Sequence, residues 1–133
     1  MIDINTLVLI DTSAWVEFFN RPSGRIARSV KSLIELDKVC TAGVVLTEIL
    51  QGTRNPKERK TLTESLIILP FVETEREDWI AAGWRLNDLR AKGITAPVTD
   101  AILAQLCIRH EIEIFTLDKH FNYFHNLKRY KPD

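Results

Sequence analysis

The 133-residue chain reads as a single-domain α/β protein built on a mostly parallel sheet. Three observations predict this class. Short apolar runs at Leu7-Val8-Leu9-Ile10, Val39-Cys40 and Ile112 to Phe115 are bounded by turn or charged residues, as strands buried on both faces are. Between them lie segments with helical stripes and cap signals, so strand and helix alternate, which argues crossover connections. The first and last of these runs are followed by aspartates, Asp11 and Asp118, at the strand ends where open parallel sheets carry their ligands.

In chain order, Leu7 to Ile10 is the first strand, and Thr12 or Ser13 is placed to cap a helical turn or two from Ala14 to Phe19. Asn20-Arg21-Pro22-Ser23-Gly24 is a turn, and Ser23 is read as the cap of a second helix. Its apolar stripe is Ile26, Ala27, Val30, Leu33 and Ile34, with Arg25, Arg28 and Ser32 opposite. Lys38 to Ala42 is a short strand. Gly43 to Leu50 is an apolar helix interrupted by Thr47-Glu48 and closed by Gly52. Asn55, Pro56 and Glu58 open a helix through Leu66 as N-cap, N1 and capping-box acid. Ile67 to Val72, broken by Pro70, reads as an edge strand. Thr74 to Glu77 reads as a second capping box, before a helix whose broad face carries Trp79, Ile80, Gly83, Leu86 and Leu89, with Trp79 and Trp84 assigned to the core. Lys92-Gly93 closes it. A loop leads to a helix beginning at Thr99-Asp100, then a strand from Glu111 to Leu117, and Tyr130 is offered a last short strand.

Composition is that of an ordinary soluble domain, 45% hydrophobic and 27% charged. Lys plus Arg equals Asp plus Glu at 18 each, so net charge points to no nucleic-acid partner, although local patches are not excluded. Cys40 and Cys107 sit in apolar surroundings with no zinc spacing and read as buried thiols in a reducing compartment. His110, His120 and His125 lack metal-motif spacing and read as surface or structural residues. There is no signal-peptide pattern and no apolar run near the ~20 residues of a membrane span, so a cytoplasmic protein without a membrane partner is expected.

Four acids sit in unusual settings: Asp11 and Asp118 after strands, Glu48 inside an apolar helix, and Asp100 in a first helical turn. Each alone has a plain structural explanation, as turn acid, solvated side chain or partner of a helix dipole. Together they suit one sheet edge. Carboxylates gathered there repel one another, and a hard divalent ion, Mg²⁺ or Mn²⁺, would neutralise them. Such an ion serves phosphodiester or phosphoryl hydrolysis.

The segments Ile10-Asp11-Thr12-Ser13-Ala14-Trp15, Thr47 to Gly52, Thr99 to Ala104 and Thr116 to Phe121 resemble those of the PIN-domain ribonucleases, and among them the VapC-type toxins of type II toxin–antitoxin pairs. The resemblance runs from residue 7 to about residue 121. It implies a three-layer α/β/α fold, Mg²⁺- or Mn²⁺-dependent cleavage of RNA, a cognate antitoxin and a homodimer. Carried over residue by residue, it implies that Asp11, Glu48, Asp100 and Asp118 hold the metal and act in catalysis, with Thr116 as the hydroxyl before the last acid and Thr12 or Ser13 as the hydroxyl after the first. Glu17 is placed either as an outer residue of the site or as a solvated helix acid.

Basic residues cluster at Arg21, Arg25 and Arg28, at Arg54, Lys57, Arg59 and Lys60, and at Lys119, Lys128, Arg129 and Lys131, as solvated faces or as tracks for phosphates. A metal-free acid cluster would accept an arginine from a partner peptide, with Trp15, Phe18 and Phe19 as a groove for its helix. Two competing readings keep the fold but change the function: a non-catalytic RNA- or protein-binding module, or another Mg-dependent phosphohydrolase. A phosphoaspartate receiver is disfavoured because the strand at Val39-Cys40 ends in Thr41-Ala42-Gly43 without an aspartate.

Overall fold

A computed structural model describes residues 3–133. After a 3-10 turn at Ile4–Thr6 the elements are β1 (Val8–Ile10), α1 (Thr12–Asn20), α2 (Arg25–Glu35), β2 (Val39–Ala42), α3 (Gly43–Gln51), α4 (Pro56–Leu66), β3 (Phe71–Val72), α5 (Arg76–Ala91), α6 (Val98–His110) and β4 (Glu113–Phe115), with a second 3-10 turn at Lys119–Tyr123. The sheet is parallel throughout, in the order β3-β2-β1-β4, and helices flank it in the three-layer α/β/α arrangement expected from the sequence.

β1 is central. Val8 registers with Val39 on one side and Glu113 on the other, and Leu9 and Ile10 register with Ile114 and Phe115. With helices on both faces of the sheet, an alternating pattern would bury polar side chains, so β1 is apolar at every position and buried along its length. Each such side chain contributes about 1.5–3 kcal/mol relative to exposure. One hydrophobic cluster joins the strands to Trp15, Ile49, Ile102 and Phe121. Cys40 and Cys107 lie within it, and burial pushes the Cys40 thiol up to about 12 and the Cys107 thiol well above its ordinary value.

The chain leaves β1 toward β2 and β3 on one side and returns to it from the other as β4. The carboxyl ends of β1 and β4 therefore border the point where strand order reverses, the crevice at which open sheets bind ligands.

Several local expectations change. α2 is capped by the backbone of Gly24, not by Ser23, and Ile34 lies outside its buried stripe. Asn55 caps α4 as expected, accepting from the Glu58 N–H at 2.8 Å. The second capping box is shifted by one residue: Glu75 is N-cap and Asp78 the N3 acid, accepting from the Glu75 N–H at 2.9 Å. That shift sets the rotation of α5. It buries Asp78, Ala82 and Leu89 against α6 and turns Trp79, Ile80 and Trp84 outward, with Trp84 70% exposed. The small Ala82 permits close approach of the two helices where an indole would not fit. β3 is an edge strand, as expected, but only two residues long. β4 starts at Glu113 because Glu111 turns left-handed, with φ 55°, to end α6. Tyr130 does meet the sheet, its N–H donating to the Ile114 carbonyl at 2.9 Å beside a bridge between Ile114 and Arg129. No helix among the described residues is long and apolar enough to cross a membrane.

Candidate active site

The crevice is assembled from the ends of neighbouring strands. The Asp11 N–H continues the ladder by donating to the Phe115 carbonyl at 2.9 Å, which sets Asp11 beside Thr116. Asp11 is 6% exposed, and its Oδ2 accepts from the hydroxyls of Thr116 at 2.8 Å and Ser13 at 2.9 Å. Those hydroxyls are committed further. Thr116 Oγ1 accepts from the Asp118 N–H at 3.0 Å, and Ser13 Oγ accepts from the Leu117 N–H at 2.9 Å. Two hydroxyls thus lock Asp11 to the loop that carries Asp118. Neither Thr12 nor Ser13 caps α1, contrary to the sequence reading: Asp11 is the N-cap, without a side-chain cap bond, and both hydroxyls bind acids instead.

Asp118 caps the 3-10 turn, its Oδ1 accepting from the His120 N–H at 2.9 Å and facing His120 Nδ1 at 2.9 Å. Asp100 is N3 of α6. Its N-cap is Pro97, which has no N–H to offer, so the capping-box bond that an N3 acid ordinarily accepts is impossible here. Asp100 Oδ2 is buried and has no hydrogen-bond partner among the described residues. Burial, followed by the charges of Asp118 and Asp11 and, more weakly, Glu48, raises its carboxyl to about 6, with His120 acting in the opposite sense. One ligand atom from each of Asp100, Asp118 and His120 lies within 4.8 Å of the other two.

Asp11 and Glu48 lie outside that triangle. Glu48 is solvent-exposed on α3, so no compensation for burial is required, and its Oε1 accepts from Thr12 Oγ1 at 2.8 Å. Glu17 pairs with Arg21 at 3.8 Å, as a helix-surface acid does. His120, set aside in the sequence reading, stands at the cluster. The available signal was Asp118-x-His120, a turn in which an aspartate takes the N–H two residues on and draws that residue's side chain beside it.

The donor set of Asp100, Asp118 and Asp11 fits a hard divalent ion. Carboxylates close enough to raise the proton affinity of Asp100, whose buried oxygen is left unsatisfied among the described residues, are stabilised by a cation. A groove of about 680 Å³ opens beside Glu48 between α1, α3 and α4, lined by Val16, Phe19, Ile49, Arg54, Lys57 and Leu62. It lies against α3 and α4 and not α2, and Trp15 is buried away from it while Phe19 is exposed.

A family model described as PIN domain matches residues 8–126. The chain is 31% identical over 120 residues to ribonuclease VapC11 of Mycobacterium tuberculosis, covering 87% of this chain and 90% of that protein. Its fold matches a chain of DNA-bound VapBC from Salmonella typhimurium with TM-score 0.78 at 15% identity, covering 93% of this chain and 96% of that one. VapBC2 from Rickettsia felis, bound to a promoter DNA fragment, gives TM-score 0.77 at 16% identity over 96% of this chain and 99% of that one.

Proposed function

The chain belongs to the PIN domain family, and we propose that it is the endoribonuclease toxin of a toxin–antitoxin pair, hydrolysing RNA phosphodiester bonds with Mg²⁺ or Mn²⁺. The observation that carries this reading is the buried Oδ2 of Asp100, without a hydrogen-bond partner among the described residues, set among the charges of Asp118, Asp11 and Glu48 at the β1/β4 crevice. The name of its ribonuclease relative and the toxin–antitoxin complexes among its structural neighbours support the chemistry and the partner.

In this reading Asp100, Asp118 and Asp11 hold the ion, with Glu48 completing the set. When bound, the ion supplies neutralisation of phosphate charge and a water of lowered pKa. Thr116 and Ser13 orient Asp11 by donating to one of its oxygens, which leaves the other free of hydrogen bonds from the described residues. Thr12 holds Glu48 by one oxygen in the same way, at the mouth where α3 meets solvent. The four acids form a negative pocket, so RNA phosphates approach it only once it is charge-compensated, and the basic residues Arg54 and Lys57 beside Glu48 guide them.

The groove between α1, α3 and α4 accommodates an amphipathic antitoxin segment, with Phe19, Ile49 and Leu62 as its apolar floor and an arginine of the partner reaching past Glu48 to the acids. The outward-facing Trp79, Ile80 and Trp84 of α5 supply apolar surface for a two-fold homodimer. A monomer mass by light scattering at micromolar concentration contradicts that assembly. The decisive experiment for the activity is cleavage of defined RNAs by the purified protein with and without Mg²⁺, beside an Asp11→Asn variant. Cleavage by the wild type only with the ion, and none by the variant, is the expected result. Ion-independent cleavage, or equal cleavage by the variant, overturns it.

A further inference from the structure

Building on that metal-dependent reading, we infer that His120 donates a ring nitrogen to the ion, so that the centre is a mixed nitrogen–oxygen site and not a carboxylate-only one. One nitrogen of His120 and one oxygen each of Asp100 and Asp118 lie within 4.8 Å of one another. Two trans donors at about 2.0–2.2 Å from an ion are about 4.4 Å apart and three spread evenly round it about 3.8 Å, so a contraction of about 1 Å or less closes the triangle. Asp100 brings to it a buried oxygen that no other group among the described residues satisfies.

The backbone, not chance rotation, places the imidazole. Asp118 Oδ1 takes the His120 N–H and also faces its Nδ1, each at 2.9 Å. The imidazole therefore loses little further freedom on binding, and an ion between ring and carboxylate would take the place of the Nδ1–Oδ1 contact. Its side chain is 57% exposed, which leaves the ring open to an arriving ion. An imidazole changes which ion the centre prefers. Mg²⁺ favours oxygen donors and sheds water reluctantly, while later divalent metals gain more from nitrogen. The centre therefore favours Mn²⁺ over Mg²⁺ more than its carboxylates alone would.

The test is pulsed electron paramagnetic resonance on the full-length protein loaded with Mn²⁺, combined with Mn²⁺ and Mg²⁺ titrations. Directly bound imidazole imprints nitrogen modulation on the echo. The expected pattern changes when histidine is labelled with ¹⁵N, an arm that leaves the fold untouched, and disappears in His120→Ala, whose Mn²⁺ dissociation constant rises by at least about tenfold while that for Mg²⁺ moves less. Bound Mn²⁺ without nitrogen modulation, or modulation that survives in His120→Ala, overturns the assignment and leaves the metal-dependent reading standing. Failure of the wild type to bind Mn²⁺ at all overturns both.

Discussion

Asp78 and Asp100 are the same residue at the same position, N3 of two helices packed against each other, and the fold treats them in opposite ways. Asp78 is fully buried, yet every need of its carboxylate is met. Arg109 grips it with two bonds of 2.7 Å, Gln105 donates at 3.2 Å, and the Glu75 N–H completes the set. Arg85 fixes Gln105 in turn at 2.9 Å. Burial by itself would raise this carboxyl, but Arg109, Glu75 and Gln105 outweigh it and hold it below the ordinary range. Asp100 has proline where Asp78 has a backbone donor, and acids where Asp78 has an arginine, so its carboxyl is pushed up to about 6 by burial and then by like charge. A satisfied acid stiffens the packing of α5 on α6. In the proposed reading, an unsatisfied one at the sheet crevice is where a cation would bind.

The sharpest way to break this contrast is to neutralise each acid in turn. Asp100→Asn and Asp11→Asn are expected to lower RNA cleavage by about a thousandfold, a loss of the size seen when a preorganised charged group is removed from a reaction centre, with an unchanged circular dichroism spectrum. Asp78→Asn has the opposite profile. It weakens the grip of the part-exposed Arg109 on the buried side chain and costs about 1.5–3 kcal/mol of stability, the size of a hydrogen bond to a charged group, read as a lower midpoint in urea, while the protein that remains folded keeps its turnover. If Asp78→Asn abolished turnover without loss of stability, the division between structural and reactive acid would fail.

The two acids also have opposite pH slopes. The raised Asp100 binds its proton more tightly in the folded state, so its contribution to metal-free stability is present below pH about 4 and is lost as pH rises through about 6. The lowered Asp78 contributes above the ordinary carboxylate pKa and is lost as pH falls below it. Metal-free Asp100→Asn is therefore expected to melt a few degrees above the wild type at pH 7, with the gap closing toward pH 4. Saturating Mn²⁺ at pH 7 should raise the wild-type melting temperature and leave that of the variant nearly unmoved. A gap that widens on acidification would reverse the sign of the Asp100 effect.

The smallest expected effect concerns the partner. Arg109 shows within this fold how a guanidinium satisfies a buried carboxylate, and an antitoxin arginine would do for the acid cluster what Arg109 does for Asp78. Inhibition by the cognate antitoxin, held near its dissociation constant, is then expected to weaken several-fold as Mg²⁺ is raised a hundredfold. Constant inhibition across that range points instead to steric closure of the RNA path by the groove between α1, α3 and α4.

By itself the sequence determined the alternation of strands and helices, the central apolar strand at Val8–Ile10, and the presence of acids at Asp11, Glu48, Asp100 and Asp118, because fully buried strands must be apolar and strand ends in parallel sheets open onto one edge. It also held the clue in Pro97 that separates Asp100 from Asp78, since a missing N–H is a covalent fact. What lay beyond it were contacts between residues far apart in the chain. Thr116 reaches Asp11 across 105 positions and Arg109 reaches Asp78 across 31, and no local pattern encodes either pairing. The rotation of α5, which exposes Trp79 and Trp84, goes with the shifted capping box, the pairing of the buried Asp78 with Arg109 and the small Ala82, against the hydrophobicity of the indoles. Placement of His120 beside Asp118 and Asp100 likewise followed from a turn docking against the start of a distant helix. Periodicity reports which residues avoid water, whereas the partner of a charged group is chosen by packing in three dimensions.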